Sequence, residues 1–154
     1  MNRKVAIQLT DPALPAACHL IEELDAYLGS LYPPECNHLL PVEVLQQSNV
    51  TFLTASLDGR LVGCGAFVNQ GEYAEIKRMY VVPECRGMKI GKRILQELEK
   101  HIISGGLKIA RLETGIHQPE ALGLYTGMGY QKRKAFGSYR DDEYMSVFME
   151  KKLG

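Results

Sequence analysis

A strand-like run from Glu75 to Val82 passes through Arg86-Gly87-Met88-Lys89-Ile90-Gly91 into a helix-like run from Lys92 to Ile103, and no other stretch limits the fold as much. A second strand-like run, Leu107 to Thr114, follows the Gly105-Gly106 stop signal, so strand, helix and strand form one crossover. Such a unit sets its two strands parallel and side by side. The turn into the helix also leaves several backbone N–H groups without acceptors at the positive end of the helix dipole, which suits a pyrophosphate.

Absent residues narrow the ligand. Gly91 is followed by Lys92-Arg93-Ile94, without the hydroxyl that a P-loop uses to hold Mg²⁺. The other glycine cluster, Gly63-Cys64-Gly65, lies inside a strand pattern rather than between a strand and a helix, so it reads as a bulge and not as a dinucleotide fingerprint.

The remaining pattern places the crossover in a mostly antiparallel sheet. Val5 to Leu9 alternates as a first strand, and Asp11-Pro12 reads as the start of a helix whose stripe is Leu20, Leu24, Tyr27, Leu28 and Leu31. That helix ends between Gly29 and Pro33, and Pro41 to Gln47 reads as a short second helix. Val50 to Leu57 and Arg60 to Asn69 flank the hairpin turn Asp58-Gly59, and Gln70-Gly71 leads into Glu72 to Val82. Ile90, Ile94, Leu95, Leu98 and Ile102 form the apolar face of the crossover helix. Pro119 opens a further helix to Thr126, and Tyr130 to Ala135 and Tyr144 to Lys151 close the sheet. The expectation is one α+β domain over residues 1–154, about seven mixed but mostly antiparallel strands flanked by about four helices.

Eighteen basic and eighteen acidic residues leave no net charge to attract nucleic acid broadly. The N-terminal apolar run is too short for a signal peptide and no later run approaches spanning length, so a cytoplasmic protein without a membrane partner is expected. Cys18, Cys36, Cys64 and Cys85 are widely spaced, lack zinc-finger histidines and read as free thiols, and no metal site is expected.

The pattern R-x-x-G-x-G/A at Arg86 to Gly91, preceded by Ala74-Glu75-Ile76-Lys77-Arg78-Met79-Tyr80-Val81-Val82-Pro83 and followed by Ala121-Leu122-Gly123-Leu124-Tyr125-Thr126-Gly127-Met128-Gly129-Tyr130, resembles the acetyl-CoA-binding core of the GNAT superfamily of N-acetyltransferases, in family order. Lys89 stands where the family usually has Gly. The resemblance implies acetyl-CoA as cosubstrate, its pantetheine arm on the backbone of Met79, Tyr80 and Val81, and its pyrophosphate on Arg86, Gly87, Met88, Lys89, Ile90, Gly91 and Lys92. A cation in a first helical turn is unfavourable unless an anion lies beside it, which favours Lys92 as a phosphate neighbour.

The resemblance makes Tyr125 the candidate acid for the departing thiolate, against the alternative that it packs on the stripe of Ala121, Leu124 and Met128. Glu75 becomes the candidate base, against the alternative of an ion pair with Lys77 or Arg78. Likeness to small bacterial members of the superfamily puts Tyr32, Glu35, His117 and Arg140 on the acceptor side, with Arg140 suited to a carboxylate and Glu35 or Asp141 to an amine. His38 and His101 read as surface residues. The expected function is direct acetyl transfer to an amine of a small molecule or peptide. An acyl-CoA sensor without turnover and an acyltransferase using another acyl-CoA are the rivals, and a homodimer through a sheet edge is left open.

Overall fold

Residues 4–36 and 40–154 are described in a computed structural model of the chain. Seven strands form a single sheet in the order β1-β2-β3-β4-β5-β7-β6, where β1 is Val5–Leu9, β2 Val50–Leu57, β3 Arg60–Asn69, β4 Ala74–Val81, β5 Ile109–Gly115, β6 Gln131–Arg133 and β7 Ser146–Lys152. The helices are α1 (Pro15–Leu31), α2 (Val42–Leu45), α3 (Ile90–Ser104) and α4 (Pro119–Gly127). Among the described residues no helix is long and apolar enough to cross a membrane.

The β4-α3-β5 crossover makes the expected parallel pair, and every other neighbouring pair is antiparallel. That parallel pairing is short. Ala74, Glu75 and Ile76 align with Ala110, Arg111 and Leu112, and beyond them Lys77–Val81 and Glu113–Gly115 have no partners in each other. A bulge accompanies the divergence: the β3 register jumps between Cys64 and Ala66, and Arg78, opposite this gap, adopts a left-handed backbone at φ 60°. Its buried guanidinium donates from Nε and Nη2 to the Leu40 carbonyl at 3.1 and 2.7 Å, and from Nη1 to Asp25. The bulge is thereby tied to α1 and to the start of α2.

Gly63 and Gly65 serve the packing of α3. A Cβ on Gly65 would lie 2.5 Å from Met79 Sδ and 2.7 Å from Ile94 Cγ2, so bare backbone is what lets α3 lie close on the sheet. Ile94, Leu95, Leu98 and Ile102 of that helix are wholly buried, and each contributes roughly 1.5–3 kcal/mol of hydrophobic stabilisation. The bulge expected at this glycine cluster is present, with the extra residue on the facing strand β4.

Three of the element boundaries that differ from the sequence reading have a clear local cause. Helix α1 starts at Pro15, not Pro12, because Leu14 precedes a proline and takes an extended ψ of 139°; Asp11 instead accepts from Ala13 N at 2.9 Å in a turn. Strand β6 is shorter than expected because Tyr130 N bonds to the Tyr125 carbonyl at the end of α4, while Ala135 N bonds to Asp141. Strand β7 begins at Ser146, after a turn in which Ser146 N bonds to the Glu143 carbonyl at 3.1 Å. The hairpin at Asp58-Gly59 is as expected, both residues at positive φ (51° and 87°).

Gly65→Ala should destabilise the fold by about 1–3 kcal/mol through overpacking. A lower urea midpoint at unchanged slope is the expected readout.

Candidate active site

Because β4 and β5 part after three residue pairs, the α3 N-terminus, α4 and the second half of β4 enclose a cleft of about 520 Å³ instead of continuous sheet. Its floor includes Met79, Tyr80 and Val81, its α3 side Arg86, Gly87, Lys89, Ile90, Gly91 and Lys92, and its far wall Ala121, Leu124 and Tyr125. Of the expected cofactor residues only Met88 lies outside this lining, and it is partly exposed.

The anion cradle follows from local backbone geometry. Gly87 has φ 86°, and Lys89, the residue before α3, has φ 62° and ψ 23°. The left-handed conformation at Lys89 is one that glycine adopts without strain, which gives the glycine expected at this position a physical reason. The first intrahelical bond runs from Arg93 N to the Lys89 carbonyl at 3.1 Å, which leaves the amides of Ile90, Gly91 and Lys92 without helical acceptors. Arg86 is held beside them, its Nε donating to the Val81 carbonyl at 3.3 Å and its guanidinium lying 5.4 Å from the Tyr27 ring centroid. Lys92 lines the cleft, whereas Arg93 turns away to the Val5 carbonyl. Cys85 is buried in the core.

Tyr125 is 5% exposed and borders both this cleft and a second, smaller cavity. Its hydroxyl has no hydrogen-bond partner among the described residues. Burial, with the nearby negative charge of Glu113 adding to it, holds the Tyr125 phenol well above its usual value.

Tyr32 and His117, expected on the acceptor side, come together but line neither the cleft nor the smaller cavity. Their rings stack with centroids 5.6 Å apart, and the Tyr32 hydroxyl accepts from His117 N at 3.0 Å while donating to Gln118 Oε1 at 3.2 Å. Gly115 makes room for that hydroxyl, which a Cβ there would overlap. The end of α1 is thus locked to the segment between β5 and α4, and Gln118 reaches both cavities.

Glu75, Glu35 and Arg140 stand elsewhere. Glu75 is buried beneath Tyr139, whose hydroxyl donates to its Oε2 at 2.6 Å, and Lys77 Nζ lies 3.4 Å from the same oxygen. Glu75 thus stands in the ion pair with Lys77 that the sequence left open, and it lines neither cavity. Glu35 is exposed, and Arg140 is an exposed partner of Asp142 at 2.8 Å. Asp141 caps Ala135 N, and His38 lies outside the described residues.

Three site residues escaped the sequence reading. Lys77 lines the second cavity, Gln118 joins the two, and Glu113 on β5 accepts from Ser146 Oγ at 2.8 Å while raising the phenols of Tyr32, Tyr125 and Tyr139 by its charge. No local pattern sets Glu113 apart, since Arg111 is equally charged in the same strand.

Residues 17–130 match the acetyltransferase (GNAT) family. The chain is 44% identical over 151 residues to an IAA acetyltransferase from Azospirillum brasilense, covering 97% of this chain and 98% of that one. It is 31% identical over 121 residues to a spermidine N(1)-acetyltransferase from Thermoplasma acidophilum, covering 76% and 73% of the two chains. A solved structure from Klebsiella pneumoniae, named as an acyl-CoA N-acyltransferase, superposes with TM-score 0.82 at 38% identity over 97% of this chain and 98% of that one. A Thermoplasma acidophilum N-acetyltransferase solved with coenzyme A shares the fold at TM-score 0.72 and 22% identity, over 99% and 100% of the two chains. The chain belongs to the GNAT family of acetyltransferases and is an acyltransferase.

Lys89→Gly should raise stability by roughly 1 kcal/mol, since a left-handed backbone costs a side-chain-bearing residue about that much. The urea midpoint would rise. A fall would mean that contacts of the Lys89 side chain outweigh the backbone term.

Proposed function

We propose that the protein moves the acetyl group of acetyl-CoA directly to the nitrogen of an amine within a ternary complex. The observation that carries this reading is the continuity of the two cavities at Tyr125: one has an anion cradle at its far end, and the other approaches the same phenol from beside α1. Arg86 and the amides of Ile90 to Lys92 hold the diphosphate, and the second half of β4, paired with β3 but without a strand on its β5 side, offers its backbone to the pantetheine arm.

A C–N bond forms as the C–S bond breaks, so the amine sheds a proton and the thiolate needs one. The buried phenol is a still weaker acid than a free one, which makes complete transfer to a thiol of pKa about 8.5 unfavourable. Tyr125 therefore works as a hydrogen-bond donor to the sulfur as charge develops there. The amine sheds its proton to water in the open cleft. Glu75 keeps the structural role that its bonds to Tyr139 and Lys77 describe.

Tyr125→Phe should lower kcat by about 10- to 100-fold with little change in acetyl-CoA affinity. The loss should be constant with pH up to about 10, because a phenol with raised pKa stays protonated throughout that range. Glu75→Gln should leave the pH profile of kcat/KM unchanged and lower stability, since its carboxylate is held by Tyr139 and Lys77 outside both cavities. Retention of full kcat by Tyr125→Phe when chemistry limits the rate would contradict the assignment. Acetyl-CoA binding without CoA release across a panel of amines would instead indicate a sensor.

A further inference from the structure

Four residues line both the cofactor cleft and the smaller cavity: Leu24, Met79, Gln118 and Tyr125. An acyl group handed from a thioester in one to a nitrogen in the other must pass this junction. Of the four, only Gln118 and Tyr125 bring side-chain hydrogen-bond donors to it.

The Gln118 amide has a settled orientation. The backbone N–H of Gly115 meets it at 3.1 Å, and an N–H can only donate, so the atom facing Gly115 is Oε1 and not Nε2. The Tyr32 hydroxyl donates to the same oxygen at 3.2 Å, having itself accepted from His117 N at 3.0 Å. Both lone pairs of Oε1 are thereby engaged. Gln118 N returns a bond to the Gly115 carbonyl at 3.3 Å, and Gly115 lacks the Cβ that would overlap the Tyr32 hydroxyl. Nε2 keeps two N–H groups that have no protein partner among the described residues and are not sealed within the protein.

Attack of an amine on a thioester puts negative charge on two atoms in turn. As the nitrogen bonds to the carbonyl carbon, the π electron pair moves to oxygen. The oxyanion then re-forms the double bond while the C–S bond breaks and its pair leaves on sulfur. With Tyr125 serving the sulfur, the oxygen still needs a donor. An amide N–H aimed in advance suits it, because the amide neither reorganises during the reaction nor titrates.

We propose that Gln118 is a catalytic residue whose Nε2 donates to the thioester oxygen as the tetrahedral intermediate forms, and that Tyr32 is its positioning residue. The proposal rests on the transferase reading and deepens it by assigning the oxyanion donor. It gives Tyr32 and His117, which line neither cavity, a part in the site through Oε1.

The test is isotope-edited infrared spectroscopy of carbonyl-labelled acetyl-CoA bound to the protein, with affinity measured by calorimetry. A donor on the carbonyl oxygen lowers its stretching frequency, so the band should move up in Gln118→Met while the Kd for acetyl-CoA stays within about threefold. Gln118→Glu, studied at about pH 8 where a carboxylate of ordinary pKa about 4.3 is ionised, keeps acceptors for Gly115 and Tyr32 and guards against a displaced α4. Its band should also move up. Tyr32→Phe, which removes one of the two bonds aiming the amide, should give an intermediate band and lower kcat by about 3- to 10-fold. Across the panel of amines Gln118→Met should lower kcat by about 100-fold or more, and by the same factor from about pH 6 to 9. A band left in place by both Gln118 substitutions, or a loss confined to KM for acetyl-CoA, would overturn the Gln118 assignment alone and leave the oxygen to the backbone of Met79 to Val81. A parent-like band in Tyr32→Phe would overturn the positioning role. Acetyl-CoA binding with no CoA release from the parent on any amine would overturn the proposal together with the transferase reading beneath it.

Discussion

The site exists because two parallel strands stop pairing. Strands β4 and β5 share three aligned residue pairs and then separate, and the stretch Lys77–Tyr80 has no neighbouring strand on that side, while the Val81 carbonyl accepts from Arg86. Unpaired backbone polar groups are tolerated only where water or a ligand can satisfy them, so the divergence must open onto a cleft. The left-handed residue Arg78 sits at the point of separation. Its guanidinium fastens the bulge to Asp25 and Leu40, which makes the opening a fixed feature held from α1.

Around this opening the molecule places its charges asymmetrically. The cofactor end has Arg86, Lys92 and three helix amides without acceptors, which together suit phosphate. The smaller cavity is bordered by Lys77 and Arg78, the first held by Tyr139 and Glu75, the second by Asp25 and the Leu40 carbonyl. Between them the Tyr125 phenol is kept neutral by burial and by the charge of Glu113. A neutral donor where the two cavities meet is consistent with chemistry in which negative charge develops on oxygen and then on sulfur.

The sequence made the frame legible because its signals are local. The stripe of α3, the Asp58-Gly59 turn and the glycines before α3 each depend on residues a few positions apart, and each appears at the expected place. Lys89 and Gly63-Cys64-Gly65 were legible as departures and acquire their reasons from geometry: a left-handed φ in one case, the close approach of α3 in the other. What could not be read was which polar side chains converge. Glu75 alternates correctly for a strand facing a cleft, but the segment after β6 brings Tyr139 over it. Glu113 and Lys77 come near Tyr125 only through the β4–β5 crossover and the placement of α1, contacts that no local pattern encodes. The early start assigned to α1 failed for a local reason, Pro15, whose effect on Leu14 outweighs the capping signal at Asp11.

The account depends on the amides that open α3 being the grip for the diphosphate of coenzyme A. Amide resonances of isotopically labelled protein, followed by NMR during titration with coenzyme A, test this directly. Saturable shifts at Gly87, Ile90, Gly91 and Lys92, accompanied by shifts along Met79 to Val81, are the predicted result. Saturation with those resonances unmoved, or with shifts confined to other surfaces, would contradict it.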